Sequence, residues 1–260
     1  MSVLTHPAFD GIRPWLEIAP AKLDALLPEQ LNALAAATSR PSSSAGARIR
    51  FVGATRPLDA LDYESRIYRT GEVATRPGAR HDILNALCWL AFPAVKRALN
   101  ARHVNALRAG SGRRGSVRDA ATLFDESGAI ALCGSVEIGQ LLATRQWKAV
   151  FWERRDEAAR ALHILVCGHA VLEKLLDPYP GITARLLIVP YERPFDDDAQ
   201  SLRAEADRRA AERLANIDGP PDLPPLPLAG VPQWHPGNDA AAFYDDESLF
   251  RPMRTDRMGR

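Results

Sequence analysis

The chain predicts an α+β fold in a single domain, on three observations. Apolar residues recur at helical spacing in separated runs, such as Leu23, Leu26, Leu27, Leu31 and Leu34, and Ile83 to Phe92. Short apolar segments of strand length lie between them: Ile49 to Val52, His163 to Cys167 and Ala184 to Val189. The composition, 46% apolar and 25% charged over 260 residues, is ordinary for a globular protein with a sizeable core. The expected organisation is a helical arm and linker over 1–46, an α+β core over 47–218 and an extended proline-rich tail over 219–260 packed on that core.

Taken in order, Pro20 to Ala37 reads as helix, with Pro28 dividing it in two, since proline suits a first helical turn. Ser39 to Gly46 has the composition of a flexible linker. Tyr63 to Thr75 alternates weakly around Thr70-Gly71 and reads as a strand, a turn and an extended segment. Pro77-Gly78 breaks the chain before a helix from His81 to Ala91, and Pro93 opens a second helix reaching Leu107. Ala121 to Cys133 reads as a β-hairpin, with Asp125-Glu126-Ser127-Gly128 as its turn. Val136 to Glu157 is helical, anchored by Trp147, Phe151 and Trp152. His163 to Cys167, His169 to Leu176 and Ala184 to Val189 alternate as strand, helix and strand, a spacing that permits a small βαβ crossover. Gln200 to Ala215 reads as an exposed helix, and Gly219 to Gly237 as polyproline-like chain.

The net charge of +1 is unevenly spread. Residues 47–118 hold 14 Lys/Arg against 5 Asp/Glu, and residues 119–260 hold 16 against 23. Such asymmetry suits either a small anionic ligand or mutual pairing of the two halves. Specific nucleic-acid recognition has no motif here, which leaves nonspecific binding. Three widely spaced cysteines, Cys88, Cys133 and Cys167, sit in apolar contexts and read as reduced thiols of a cytoplasmic protein. No signal-peptide pattern or membrane-length apolar run is visible, so membrane insertion is not expected.

Polar residues at the head of an apolar run give the sharpest constellation: His81, Asp82 and Asn85. His81 and Asn85 are four apart, on one helical face, and Cys88 extends it. These groups suit a catalytic base or a ligand for a divalent ion; equally, Asp82 can cap the helix and Asn85 can bond backbone. Arg76 and Arg80 precede them and suit anion binding. His169 and Glu173 share a second helical face and form the next cluster, and Asp125 is a further carboxylate that a hairpin could present. Gly110, Gly112 and Gly115 spell a dinucleotide fingerprint, but one that follows a helix and precedes a strand, so it reads as a surface loop.

The segments YESRIYRTGEVATR, HDILNALCWLAFPAVKRALN, RDAATLFDESG, GHAVLEKLLDPYPGITA and FYDDESLFRP, in this order, resemble a bacterial family, the domain-of-unknown-function family numbered 3025. The resemblance runs from about Phe51 to Pro252. It implies one family domain over most of a bacterial protein, and supplies no activity, cofactor or catalytic residue.

The leading expectation is a cytosolic hydrolase-like enzyme, with or without the assistance of a divalent metal, acting on an anionic or phosphate-containing substrate. His81 or Asp82 serves as base or ligand, Asn85 orients it, and Arg76 and Arg80 hold the anion. The alternative is a noncatalytic binding or scaffold protein with a basic face for an acidic partner or nucleic acid. The enzyme needs a concave pocket lined by His81, Asp82 and a partner carboxylate or histidine; the scaffold needs those groups satisfied internally. The metal, the substrate and the oligomeric state stay open.

Overall fold

The structure is a computed structural model that describes residues 3–18, 23–38, 41–54, 58–109, 113–192, 195 and 198–253. Its elements, in chain order, are α1 (Arg13–Ile18), α2 (Pro28–Ala37), β1 (Arg50–Gly53), α3 (Ala60–Thr70), β2 (Glu72–Thr75), α4 (Arg80–Ala91), α5 (Pro93–Ala109), α6 (Arg113–Ser127), β3 (Gly128–Cys133), α7 (Val136–Ala143), α8 (Arg155–Ala161), β4 (Leu162–Val166), α9 (His169–Lys174), β5 (Thr183–Pro190), α10 (Ala199–Leu214) and β6 (Pro225–Pro227). The fold is α+β, as the sequence predicts.

The central sheet has the order β4-β3-β5-β6. β3 is antiparallel to β4 and parallel to β5, and β6 is antiparallel to β5. Every residue of β3 is buried, which explains its unbroken small-and-apolar run GAIALC. β1 and β2 form a separate parallel pair. One core cluster joins residues from all regions, from Phe9, Ile12 and Trp15 to Phe250. The predicted arm therefore contributes directly to the core.

Several local expectations are corrected. Tyr63 to Thr70 is helix, because Tyr63 and Ile67 lie one turn apart on the inner face while Asp62, Arg66 and Arg69 stay exposed. Asp59 caps its start by accepting from Asp62 N at 2.9 Å. Thr70-Gly71 is its C-terminal stop: Gly71 has φ of 72°, and a Cβ there would lie 2.1 Å from Arg48 O. The predicted hairpin at Ala121 to Cys133 is instead the end of α6 running into β3. Ala120, Ala121 and Phe124 recur at helical spacing and are buried, so packing overrides the turn composition of Asp125 to Gly128.

The predicted βαβ crossover is absent: β4 and β5 lie on opposite sides of β3. The helix at Gln200 is not exposed all round, since α10 buries Leu202, Ala206, Ala210 and Leu214. Pro41 to Gly46 is a packed turn, with Ser43 Oγ donating to Tyr68 O at 2.7 Å. Gly110 and Gly112 lie outside the described residues, and Gly115 is part of α6. The proline-rich tail is a series of 3-10 turns around β6. It is docked by the fully buried Asn238, whose Nδ2 donates to Ala229 O at 3.0 Å and Val231 O at 2.6 Å.

Asp207 of α10 caps α5 from a distance in sequence: it accepts from Ala94 N at 2.9 Å and Val95 N at 2.8 Å. Burial pushes its carboxyl up from 3.8 to about 6, although both amides favour the charged form. A carboxyl raised on folding holds its proton more tightly when folded. Its contribution to stability is therefore full below pH about 4 and lost as pH rises through about 6. In urea unfolding, the stability of the wild type relative to Asp207→Asn is expected to fall by about 2–3 kcal/mol between pH 4 and 7. A relative stability that rose over that range would refute this reading.

Candidate active site

The site is assembled where α6 ends and α9 begins. Gly128, the first residue of β3, accepts from Cys167 N and Gly168 N, both at 2.9 Å. The two backbones approach so closely that a Cβ on Gly168 would lie 2.3 Å from Gly128 N and 2.5 Å from Ser127 C. Only glycine fits such an approach. Glu126, two residues before Gly128, and His169, directly after Gly168, are thereby brought side by side. The first turn of α4 delivers His81 to the same point.

His169 Nε2 lies 3.1 Å from His81 Nε2 and 3.4 Å from Glu126 Oε2, and His81 Nε2 lies 3.9 Å from the same oxygen. A triangle of these sides has a circumscribed radius of about 2.0 Å, the length of a zinc–nitrogen or zinc–oxygen bond. Among the described residues, this is the one group of three His, Cys, Asp or Glu side chains with ligand atoms all within 4.8 Å of one another. His81 Nδ1 meets Glu173 Oε2 at 2.9 Å, which leaves Nε2 to face the triangle. A carboxylate behind an imidazole fixes ring and tautomer in this way in metal sites.

Burial pushes the His169 imidazole down to about 3, so its ring is neutral at ordinary pH. Its Nδ1 is buried with no partner at full hydrogen-bond geometry, while the Asp125 backbone acts weakly to favour a proton on the ring. Burial and the adjacent Asp125 carboxylate raise Glu126, against His81 and Lys96.

The triangle opens into a cleft of about 830 Å³. Behind it lies a polar floor. The buried Lys96 ammonium donates to Asp125 in a very short contact and to Asn85 Oδ1 at 2.7 Å, and sits 5.6 Å from the Trp89 ring centroid. Asn85 Nδ2 donates to Tyr63 OH at 2.9 Å. Asn100 Nδ2 donates to Glu64 Oε2 at 2.7 Å and to Glu64 O at 3.0 Å. Burial alone would neutralise Lys96 and Asp125, yet each holds the other charged: Lys96 is raised, and Asp125 is held at about 2. Burial and the Asp125 charge bring Glu64 up to about 7.

Of the residues singled out in the sequence, His81, His169 and Glu173 converge. Asp82 lines the cleft, but both its oxygens are engaged: Arg76 Nε and backbone N reach Oδ2, and Arg76 Nη2 reaches Oδ1, all at 2.8 Å. Burial would raise Asp82, and the Arg76 fork more than offsets it and holds it low. The Arg76 fork is thus filled, and Arg80 reaches out to Asp24 at 3.5 Å and does not line the cleft. Neither arginine offers the anion cradle expected of the pair. Asn85 belongs to the Lys96 floor; the group that orients His81 is Glu173. Asp125 enters from a helix, as the counter-ion of Lys96. Cys88 is fully buried, with its thiol pushed up to about 12 by burial.

Sequence reasoning missed Glu126, Lys96 and Glu64. Glu126 was hidden by the hairpin assignment; the spacing of Ala120, Ala121 and Phe124 was the signal that could have corrected it. Lys96 and Glu64 carried no motif, and charged residues of these types are seldom buried. Unfolding in urea should show Lys96→Met destabilised by about 3–5 kcal/mol, because it strands a buried carboxylate. The double variant Lys96→Met/Asp125→Leu should recover part of that loss; a double variant no better than the single one would count against the pairing.

No curated protein and no solved structure matches the chain. The family described as "Protein of unknown function (DUF3025)" matches residues 49–254, close to the span that the motifs suggested. His81, Glu126, His169 and Glu173 all fall within that stretch, and with most of its length matched, the chain belongs to the DUF3025 family.

Proposed function

We propose that the protein is a metal-dependent hydrolase in which His81, His169 and Glu126 hold a divalent ion at the wall of the cleft. The observation that carries this reading is the triangle of ligand atoms, about 2.0 Å from a common centre. Two imidazoles and one carboxylate form a donor set of catalytic zinc sites, which keep a further position open for water. The open side here is an accessible cleft, which fits catalysis better than a closed structural site. When bound, the ion would acidify a coordinated water.

The protein's own groups have separate roles in this scheme. Glu173 holds the His81 ring with Nε2 inward. Burial keeps His169 neutral and ready to donate its lone pair. Glu64 lines the same cleft with a carboxyl raised to about 7, suited to take and return a proton near neutral pH. The Lys96–Asp125 pair stiffens the end of the helix that carries Glu126.

A second reading follows from the same donor set. Two histidines and one carboxylate with open positions also form the facial triad of iron(II) oxygenases. The noncatalytic scaffold is less well supported, because His81 and Glu126 are half-exposed and face a cleft.

Elemental analysis of tag-free protein, reconstituted separately with zinc, manganese and iron(II), decides among these readings. One equivalent of metal is expected. His81→Ala and Glu126→Ala should lose it with the fold intact by circular dichroism, and Glu173→Gln should weaken affinity about 10–100-fold. Wild-type protein that takes up none of the three metals would overturn the assignment. Retention of iron(II) alone would move it to oxygenase chemistry.

A further inference from the structure

We infer that the substrate of this cleft is an uncharged acyl compound with an apolar body, an ester or amide, and not a phosphate ester. The inference rests on the metal-dependent hydrolase reading. It starts from the charges that face the cleft. Among the described residues, five carboxyl groups line it: Glu64, Asp82, Asp119, Asp125 and Glu126. Two arginines among the described residues oppose them, Arg76 and Arg118. The Arg76 fork is filled by both oxygens of Asp82, and Arg118 sits 3.9 Å from Asp119. Lys96, behind the wall, is held by Asp125. Even with a divalent ion in place, the described residues of the lining carry no positive excess for a phosphate dianion to find. A multiply charged anion would have to give up its hydration to meet carboxylates.

Beside Asn85, His103 and Thr122, much of the remaining wall is apolar. Leu58, Leu107 and Leu123 line the cleft together with Ala54, Ala60 and Ala74. A volume of about 830 Å³ is in the range that encloses most of a medium-sized organic molecule. An aliphatic or aromatic body would rest on the leucines while its carbonyl oxygen reaches the triangle. In the reaction, the water oxygen bonds to the acyl carbon and the carbon–heteroatom bond breaks. One water proton goes to the leaving oxygen or nitrogen, and the other stays with the acid. The products are a carboxylic acid and an alcohol or amine, and no oxidant or reductant is consumed.

Calorimetric binding to the zinc-loaded protein tests this without needing the natural substrate. The probes are octanohydroxamic acid, acetohydroxamic acid and octylphosphonate, each corrected for its affinity for free zinc. The long hydroxamic acid should bind at least ~10-fold tighter than either of the others, a difference of about 1.4 kcal/mol. Leu107→Asp or Leu123→Asp should erase its advantage over the short one while metal content stays at one equivalent. Octylphosphonate binding as tightly as the long hydroxamic acid, or affinity independent of chain length, would overturn the inference and leave the metal site standing. Failure to load zinc would instead count against the hydrolase reading beneath it.

A separate observation points to a buried water site. A small void of about 10 Å³ lies among Tyr63, Glu64, Lys96, Asn100 and Asp125. Asn100 Oδ1 borders it, fully buried and without a partner. The amide cannot be turned over to relieve this, since Nδ2 already serves two oxygens of Glu64. The Lys96 ammonium has three hydrogens, and Asn85 and Asp125 take two. The geometry assigns one water molecule to this void, donating to Asn100 Oδ1 and accepting from Lys96, in a space about the size of one water probe. It would join the Glu64 carboxyl to the Lys96–Asp125 pair. A high-resolution crystal structure should show one ordered peak within hydrogen-bond distance of both atoms. An empty void, or an Asn100 amide rotated away from Glu64, would refute it.

Discussion

The contact between Gly128 and Gly168 is the constraint on which the rest of the site depends. α6 passes into β3 without a loop, and β4 returns antiparallel beside β3 before α9 starts. The two crossings meet at these glycines, where one carbonyl accepts from two successive amides. No side chain separates the backbones, so Glu126 and His169 are held by main-chain geometry and not by flexible contacts. β3 is buried along its whole length and paired on both edges, which gives the junction a rigid base. A site whose side chains hang from such a junction is preorganised: little ordering is left to be done when a ligand arrives.

The polar floor explains how charged groups persist so near the core. Lys96 lies on α5, one turn past Phe92, and would be expelled if it were alone. Asp125 supplies the counter-charge, Asn85 a second acceptor and the Trp89 face an aromatic wall. Each group is costly to remove singly, since its partner is then stranded. The network also ties four helices together: α3 through Tyr63 and Glu64, α4 through Asn85, α5 through Lys96 and Asn100, and α6 through Asp125. The density of polar residues around the apolar run at Ile83 to Phe92 thus has a physical reason. They lie along the seam between helices and not at random through the core.

Much of the fold was legible where periodicity and stop signals agreed. The helices at His81 and Pro93, the strands at Ile49, His163 and Ala184, and the break at Pro28 follow from local pattern. Errors arose where turn-forming residues belonged to helix ends. Thr70-Gly71 and Asp125 to Gly128 have turn chemistry, yet both terminate helices, and a helix end needs the same left-handed or crowded backbone that a hairpin does. Reading the second as a hairpin moved Glu126 from helix to turn and concealed the third corner of the triangle. His81 and His169 were visible as candidates because each opens a helix beside an apolar run. Their convergence was not, because 88 residues separate them and no local pattern encodes a meeting decided by sheet topology.

The two histidines are held in opposite ways, and this difference bears on how the site could work. His169 is buried and fixed by the core, with its neutral state set by desolvation. His81 is half-exposed, and Glu173, at the same surface, holds its other nitrogen. Glu126 is also half-exposed and borders the cleft. On the metal reading, one ligand, His169, is buried in the core, while the side chains of His81 and Glu126 are half-exposed on the cleft side. Such a site admits an ion from the cleft side without opening the core. It also places His81 and Glu126 beside the cleft that a substrate would enter, with His169 and its glycine junction set behind them in the core.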